Sequence, residues 1–220
     1  YDPDALAAVH DITPQNKVLR FAFVGTIYEW HPLELFLEQL HLFKKNNEIS
    51  LEVNFYGTNK TTWINEFIRS KCPNLIGTVN TYSKMPNQAL LKTLASHHVM
   101  ILFNYYSYLG TKIFDYLAIK RQIILCFEQD PVAEALRKRY FSIEESSNGN
   151  TQLQADVLRK TNGGIVVTDA ANLQRVFTSL QEEFLRTGNI ACDSRDIEQY
   201  SRRIQVERLA SLIKSISSQS

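Results

Sequence analysis

The stretch that decides the fold covers residues 99–118 and reads VMILFNYYSYLGTKIFDYLA. Its first five residues form an uninterrupted apolar run, which predicts a buried strand. A loop with the pair Gly110-Thr111 follows, and apolar residues at helical spacing then predict a short helix. Such a loop is typical of an anion site, because free backbone N–H groups and the positive end of the helix dipole face it. The stretch therefore predicts a ligand that carries phosphate.

The same alternation of strand and helix extends over most of the chain. Apolar runs and alternating patterns predict strands over residues 18–24, 51–56, 74–79, 99–103, 122–127 and 165–167. Helical periodicity predicts helices over residues 33–45, 61–71, 86–97, 131–140 and 169–185. It also predicts a short helix after Gly110-Thr111, a helix that ends at Lys160 and a last helix from Asp193 onward. Asp130 and Asp169 are the predicted N-caps of two of these helices.

This rhythm predicts a doubly wound α/β domain with a six-stranded, parallel, Rossmann-like sheet. Right-handed crossovers favour the strand order 3-2-1-4-5-6, which places a ligand cleft at the carboxyl ends of strands one and four. Residues 144–152 are polar and predict a surface loop. Residues 1–17 are expected to be a linker rather than core, so that one domain spans residues 18–220.

Composition narrows the function classes. A length of 220 residues suits one well-buried core, and a net charge of +1 gives no electrostatic argument for nucleic acid as a partner. Three widely spaced cysteines fit neither a disulfide framework nor a zinc pattern, and they suit a reducing compartment. No apolar run reaches the roughly 20 residues that span a bilayer. No carboxylate cluster suits a hard cation, so we expect no metal.

Lys112 and Asp115 are the first candidates for ligand binding. Lys112 lies in the first turn after Gly110-Thr111, where a cation and helix N–H groups could bind a diphosphate together. Asp115, one turn on, suits the two hydroxyls of a ribose. The alternatives are a solvated lysine and an (i, i+3) ion pair between the two side chains.

Other polar residues allow a functional and a purely structural interpretation. Glycines after two strands, Gly25 and Gly57, permit close approach of a ligand or simply a tight turn. His31 with Glu29 suggests acid–base chemistry, but the simpler interpretation is a turn before a helix. The pair His97-His98 is more typical of a helix end than of a metal site. Loop donors that could contact a ligand or only satisfy backbone groups are Thr26, Thr58, Asn59, Tyr105 and Ser107.

Three tyrosines, Tyr105, Tyr106 and Tyr108, could stack on a base or a sugar, or pack at the edge of a cleft. The sequence contains no Gly-x-Gly-x-x-Gly, no Gly-x-x-x-x-Gly-Lys-Ser/Thr and no Gly-x-Ser-x-Gly motif. A nicotinamide or flavin cofactor, an ATPase site and a serine nucleophile elbow are therefore unsupported.

Residues 110–125 resemble the "P-x-K-x-x-E-Y-L-A-x-G-x-P-I-L" stretch of retaining GT-B glycosyltransferases of the family 4, group 1 type. Further segments resemble that family in the same order: Phe23-Val24-Gly25, Phe55-Tyr56-Gly57, and residues 75–79, 163–167 and 200–202. Tyr1-Asp2 is similar to the "n-G-y-D" that closes the preceding domain of those enzymes. The resemblance covers nearly the whole chain.

The resemblance implies that the chain is the C-terminal, donor-binding half of a GT-B fold, with the acceptor-binding N-terminal domain outside these residues. Asp115 matches the acid that holds the donor ribose. Ser107 stands at the position of the motif's first acid, so no catalytic residue is assigned. Lys60 would partly replace a basic pair that the family carries after the first strand. The full implied donor-binding set is Gly25, Thr26, Gly57, Lys60, Ser83, Met85, Ser107, Gly110, Thr111, Lys112 and Asp115.

The implied reaction transfers a hexose from a nucleotide-diphosphate sugar to a hydroxyl acceptor with retention, without a cofactor. The acceptor would be a glycan or lipid-linked glycan bound through the N-terminal domain, and the isolated domain would bind donor without turnover. The expected location is the cytoplasm, with the full-length protein either free or at the inner membrane face. Two alternatives stay open: a nucleotide-sugar 2-epimerase of the same fold, and a non-catalytic domain that binds a nucleotide or a partner.

Overall fold

A six-stranded parallel sheet forms the centre of the molecule in the computed structural model, which describes residues 1–6, 9, 11–142 and 149–217. The strand order is β3-β2-β1-β4-β5-β6. The predicted fold class and strand order are therefore confirmed. The strands are β1 Leu19–Val24, β2 Leu51–Tyr56, β3 Val79–Tyr82, β4 Val99–Phe103, β5 Gln122–Cys126 and β6 Gly164–Val167.

Helices cover both faces of this sheet, and so all five residues of β4 are buried. The side chains of Asp130 and Asp169 accept hydrogen bonds from N–H groups in the first turns of their helices, as predicted. Gly188, with φ of +70°, ends the eighth helix. The helices are α1 Pro3–Leu6, α2 Leu33–Asn46, α3 Thr61–Lys71, α4 Asn87–Ala95, α5 Lys112–Ile119, α6 Pro131–Tyr140, α7 Leu153–Thr161, α8 Ala170–Thr187 and α9 Arg202–Ser217.

The sheet separates two hydrophobic clusters. One lies under α2, α3 and α8, where Phe21 of β1 meets Phe177 of α8 edge to face at 5.9 Å. The other lies under α4, α5 and α7 and contains the fully buried Tyr116. The Tyr116 hydroxyl oxygen accepts a hydrogen bond from the backbone N–H of Val24, with 3.0 Å between the oxygen and the nitrogen. This bond connects α5 directly to the carboxyl end of β1.

Two predicted boundaries were wrong. A 3-10 turn, Pro73–Leu75, occupies the start of the predicted third strand, and the left-handed Gly77 (φ +79°) delays β3 until Val79. Near the C-terminus, Asp196 has φ of +55° and a 3-10 turn, Ile197–Tyr200, precedes α9. The last helix therefore begins at Arg202 and not at Asp193.

The first 17 residues are not simply a linker. Leu6 and Val9 are each only 2% exposed and belong to the cluster under α4, α5 and α7. Because the segment is polar overall, the burial of these two side chains could not be predicted. The loop predicted over residues 144–152 falls largely on residues 143–148, which lie outside the described part of the chain. Within that described part, no helix is both long and apolar enough to cross a membrane.

Candidate functional site

The loops after β1 and β2 meet at the carboxyl edge of the sheet. Gly25 takes φ of +105°, a conformation that suits glycine, and its N–H donates to the Tyr56 carbonyl at 3.0 Å. The Asn59 carboxamide oxygen accepts the Ile27 N–H at 2.9 Å, and its amide nitrogen donates back to the Ile27 carbonyl. Asn59 thus fixes the first loop, a backbone role that the sequence left open.

The loop after β4 is held by two carboxamides. The Asn104 Oδ1 accepts the N–H of Tyr106 at 2.8 Å, which stabilises the left-handed conformation of Tyr106 (φ +55°). The Gln154 Oε1 accepts the N–H of Tyr105 at 2.7 Å, across 49 residues of sequence. Ser107 is 7% exposed, and its hydroxyl has no hydrogen-bond partner among the described residues.

The N-terminus of α5 lies beside this loop. Lys112 is the first residue of the helix, and Thr111 at the N-cap makes no side-chain capping bond to the described residues. The Lys112 Nζ is 3.2 Å from the Asp115 Oδ2, and both side chains remain partly exposed. The (i, i+3) ion pair that the spacing allowed is therefore present. Because both side chains are partly exposed, a ligand can reach them, and an exposed pair of this kind stabilises the fold by less than about 1 kcal/mol.

Two cavities flank the N-terminus of α5. The larger, of about 660 Å³, has Lys112 and Asp115 in its wall together with Tyr200 and Arg202. The smaller, of about 270 Å³, lies between the loops after β1 and β4 and includes Gly110 and Gln154. Both cavities share the lining residues Leu109, Thr111 and Lys112.

The remaining predicted residues are distributed around this centre. Gly57 and Ser83 line one cavity of about 270 Å³ at the carboxyl ends of β2 and β3. Lys60 forms an ion pair with Glu29 in the wall of a different cavity, of about 390 Å³. Met85 packs on the core under α4. Thr26 is exposed and lines none of these four cavities.

The aromatic residues of the two loops pack on one another. Tyr28 stacks on Trp30 with ring centroids 4.4 Å apart, and it meets Tyr105 edge to face at 5.9 Å. Tyr105 in turn meets Tyr108 at 4.9 Å. Burial raises the pKa of Tyr105 to about 12, so the phenol stays neutral at pH 7. Packing at the cleft edge, one of the two interpretations of the tyrosines, is therefore present.

Two of the histidines, His31 and His97, are buried and neutral at pH 7. Burial lowers the pKa of His31 to about 3, and its Nδ1 accepts the Tyr28 N–H at 3.3 Å in the turn before α2. Burial also lowers the pKa of His97 to about 4. The His97 Nδ1 is 2.9 Å from the Thr93 carbonyl, to which it donates, so its Nε2 accepts from Asn54. The described residues bring together no group of three metal-binding side chains.

Sequence comparisons identify no relative: no protein-family model and no curated protein sequence matches the chain. Solved structures do match in fold. Sucrose-phosphate synthase from Thermosynechococcus elongatus is 14% identical with a TM-score of 0.60, over 99% of this chain and 49% of that one. A putative UDP-N-acetylglucosamine 2-epimerase from Listeria monocytogenes is 8% identical with a TM-score of 0.51, over 93% and 47%.

A third match is a single domain. The C-terminal domain of a glycosyl transferase group 1 family protein, LpcC from Francisella tularensis, is 10% identical with a TM-score of 0.50, over 84% of this chain and 87% of that one. The chain spans about half the length of sucrose-phosphate synthase and of the epimerase. These likenesses show that the fold is a Rossmann-like GT-B half-domain.

Proposed function

We propose that this chain is the donor-binding domain of a retaining glycosyltransferase, which binds a nucleotide-diphosphate sugar for transfer to a hydroxyl acceptor. One observation carries the proposal: Lys112 and Asp115 lie at a helix N-terminus between two cavities, at the carboxyl edge of a sheet of order 3-2-1-4-5-6. Such an edge is where open α/β sheets bind ligands. The fold likeness to a C-terminal glycosyl transferase domain supports the same function.

Each part of the donor has a group suited to it. The Asp115 carboxylate accepts from the ribose hydroxyls. The backbone N–H groups of Gly110 and Thr111, with the Lys112 ammonium, bind the diphosphate. The cavity that contains Gly57 and Ser83 receives the base. Because the Lys112–Asp115 pair is partly exposed, its rearrangement on binding costs little.

The chemistry that follows is stabilisation of a leaving group. As the bond between sugar and diphosphate breaks, negative charge grows on the diphosphate, and preorganised N–H groups and a cation stabilise it. The proposal includes no metal and no cofactor. It leaves the acceptor, a glycan or lipid-linked glycan, to an N-terminal domain, so this chain alone binds donor without turnover. It places the protein in the cytoplasm, either free or at the inner membrane face.

A 2-epimerase is the second candidate, because a putative UDP-N-acetylglucosamine 2-epimerase shares the fold. That chemistry needs acid–base groups at the sugar. Incubation of the chain with UDP-N-acetylglucosamine, followed by chromatography of the sugar, tests this candidate: a second hexosamine would establish an epimerase and contradict a domain that only binds donor. A third candidate, a non-catalytic domain that binds a nucleotide or a partner, rests on the serine at position 107.

Isothermal titration calorimetry tests the proposal. We expect at least one of UDP, GDP, UDP-glucose, UDP-N-acetylglucosamine and GDP-mannose to bind the wild type. Asp115→Ala should weaken that binding about tenfold or more, because hydrogen bonds to a carboxylate are lost. Glu182→Ala, a matched change at an exposed position of α8, should leave it unchanged. Absence of any binding rejects the donor site, and equal binding by Asp115→Ala rejects the ribose role.

A further inference from the structure

Gln154 has no role in the sequence-based prediction, yet the structure places it at the ligand edge of the sheet. It lies in the first turn of α7 and its side chain is completely buried. It lines the cavity of about 270 Å³ between the loops after β1 and β4, together with Val24, Tyr105 and Tyr108. A carboxamide is therefore built into the wall of an otherwise largely apolar and aromatic cavity.

The orientation of this carboxamide is fixed. Because Oε1 accepts the Tyr105 N–H at 2.7 Å, the other end of the amide is Nε2, a donor. Nε2 is buried and has no hydrogen-bond partner among the described residues. An unpaired buried donor is unfavourable, and such groups in folded proteins are rare. An oxygen of a bound ligand in the cavity would satisfy it.

The position of the cavity indicates which part of a ligand arrives there. The Gln154 cavity and the Asp115 cavity share Leu109, Thr111 and Lys112, so the N-terminus of α5 lies between them. On the proposed function, the ribose lies at Asp115 and the diphosphate at the helix N-terminus. The group on the far side of the diphosphate is the sugar. A volume of about 270 Å³ lies just below the roughly 300 Å³ at which cavities for drug-sized ligands begin, which suits one monosaccharide.

We propose that Gln154 is a specificity-determining residue for the donor sugar, whose Nε2–H group donates to an accepting oxygen of that sugar, a hydroxyl or an N-acyl carbonyl. This inference rests on the proposed function and adds the residue that recognises the transferred group. It assigns a neutral hydrogen-bond donor to the proposed sugar subsite. Ser107 is buried within the loop after β4 and does not line this cavity.

The variant Gln154→Glu tests this assignment. In its ionised form, glutamate keeps an oxygen that accepts the Tyr105 N–H and removes the donor, so the measurement is made at a pH where the new carboxyl group is ionised. Calorimetry with the nucleoside diphosphate that binds and with its tightest-binding nucleotide-sugar gives the ratio of the two dissociation constants. The free diphosphate carries the greater negative charge, so repulsion by the new carboxylate weakens its binding more and moves the ratio in the direction opposite to the expected change. We expect this ratio to shift about tenfold against the nucleotide-sugar. Gln88→Glu, the same change at an exposed position of α4, should leave the ratio unchanged.

An unchanged ratio in Gln154→Glu overturns the assignment while leaving the donor site intact, whereas a wild type that binds no nucleotide overturns the proposed function itself. A measurement on the wild type keeps the test valid if the variant does not fold. In ¹⁵N-labelled protein, the side-chain amide with a nuclear Overhauser effect to the Tyr105 amide proton should shift on addition of the nucleotide-sugar and not of the nucleoside diphosphate alone. A shift with neither ligand, or equally with both, contradicts the assignment.

Discussion

At the scale of single residues, His97 makes stability depend on pH. Its ring lies between the Thr93 carbonyl and the Asn54 carboxamide, and burial lowers its pKa to about 4, against about 6.5 in an unfolded chain. Between these two pH values the unfolded state binds more protons, so the free energy of unfolding falls as the pH falls.

We expect His97 to contribute about 2 kcal/mol to the loss of stability between pH 7 and pH 5. Urea unfolding at both pH values measures this loss. The variant His97→Gln, which cannot take up the proton, should be less stable at pH 7 and lose less stability on acidification. Equal losses in wild type and variant would show that His97 does not titrate with unfolding.

Gly164 occupies a position where no side chain fits. A Cβ atom there would lie 2.7 Å from the Ile123 carbonyl oxygen, which belongs to the backbone of the neighbouring strand. We expect Gly164→Ala to lower the free energy of unfolding by about 1–3 kcal/mol, because β5 and β6 must separate. Gly110→Ala meets only ordinary contact with the Tyr105 ring at 3.4 Å, so its thermal midpoint should stay near that of the wild type. Equal midpoints for both variants would contradict this.

At the scale of elements, α9 differs from the other helices in its environment. None of its residues is buried, and Val206, Leu209, Leu212, Ile213 and Ile216 are all more than half exposed. Its amphipathic pattern therefore does not cover the described core. Single substitutions on exposed surfaces usually change stability by less than about 0.5 kcal/mol.

We expect Leu209→Gln to leave the midpoint of denaturant unfolding nearly unchanged. Leu173→Ala in α8, where the side chain is fully buried, should instead cost about 2–5 kcal/mol. The comparison of the two midpoints is the measurement. A large loss in Leu209→Gln would mean that α9 packs on the domain and stabilises it.

Most elements could be predicted because periodicity and caps are local signals. The sequence around Asp130 and Asp169 predicts N-caps and the run at residues 99–103 predicts a buried strand, and the structure confirms all three. The errors at Gly77 and Asp196 arise where single left-handed residues redirect the chain. Neither residue interrupts the apolar pattern, so the pattern alone could not place these turns.

At the scale of the whole molecule, the candidate site combines segments far apart in sequence. Gly110, Lys112 and Asp115 could be predicted because the strand, the loop and the helix follow one another along the chain. Gln154 could not be, because its contact with Tyr105 exists only once α7 packs beside the loop after β4. For Thr26 and Met85, no pattern in the neighbouring sequence indicates which way the side chain points. The structure places neither residue in the two cavities that flank the N-terminus of α5.

The topology is the reason for the position of the proposed ligand site. The sheet order reverses between β1 and β4, so the loops after these strands diverge to opposite faces and leave a cleft. The N-terminus of α5 faces that cleft with Lys112 and Asp115 in its first turn. This arrangement, more than any single residue, is the basis of the proposal that the site binds a nucleotide-diphosphate sugar.

A crystal structure of the chain with the nucleoside diphosphate selected by calorimetry tests this account most directly. We expect the diphosphate within hydrogen-bond distance of the backbone N–H groups of Gly110 and Thr111 and of the Lys112 ammonium. The ribose hydroxyls should lie beside the Asp115 carboxylate, with the Lys112–Asp115 ion pair opened. A nucleotide bound instead in the cavity beside His31 and Lys60, with the Lys112–Asp115 ion pair intact, would contradict this account.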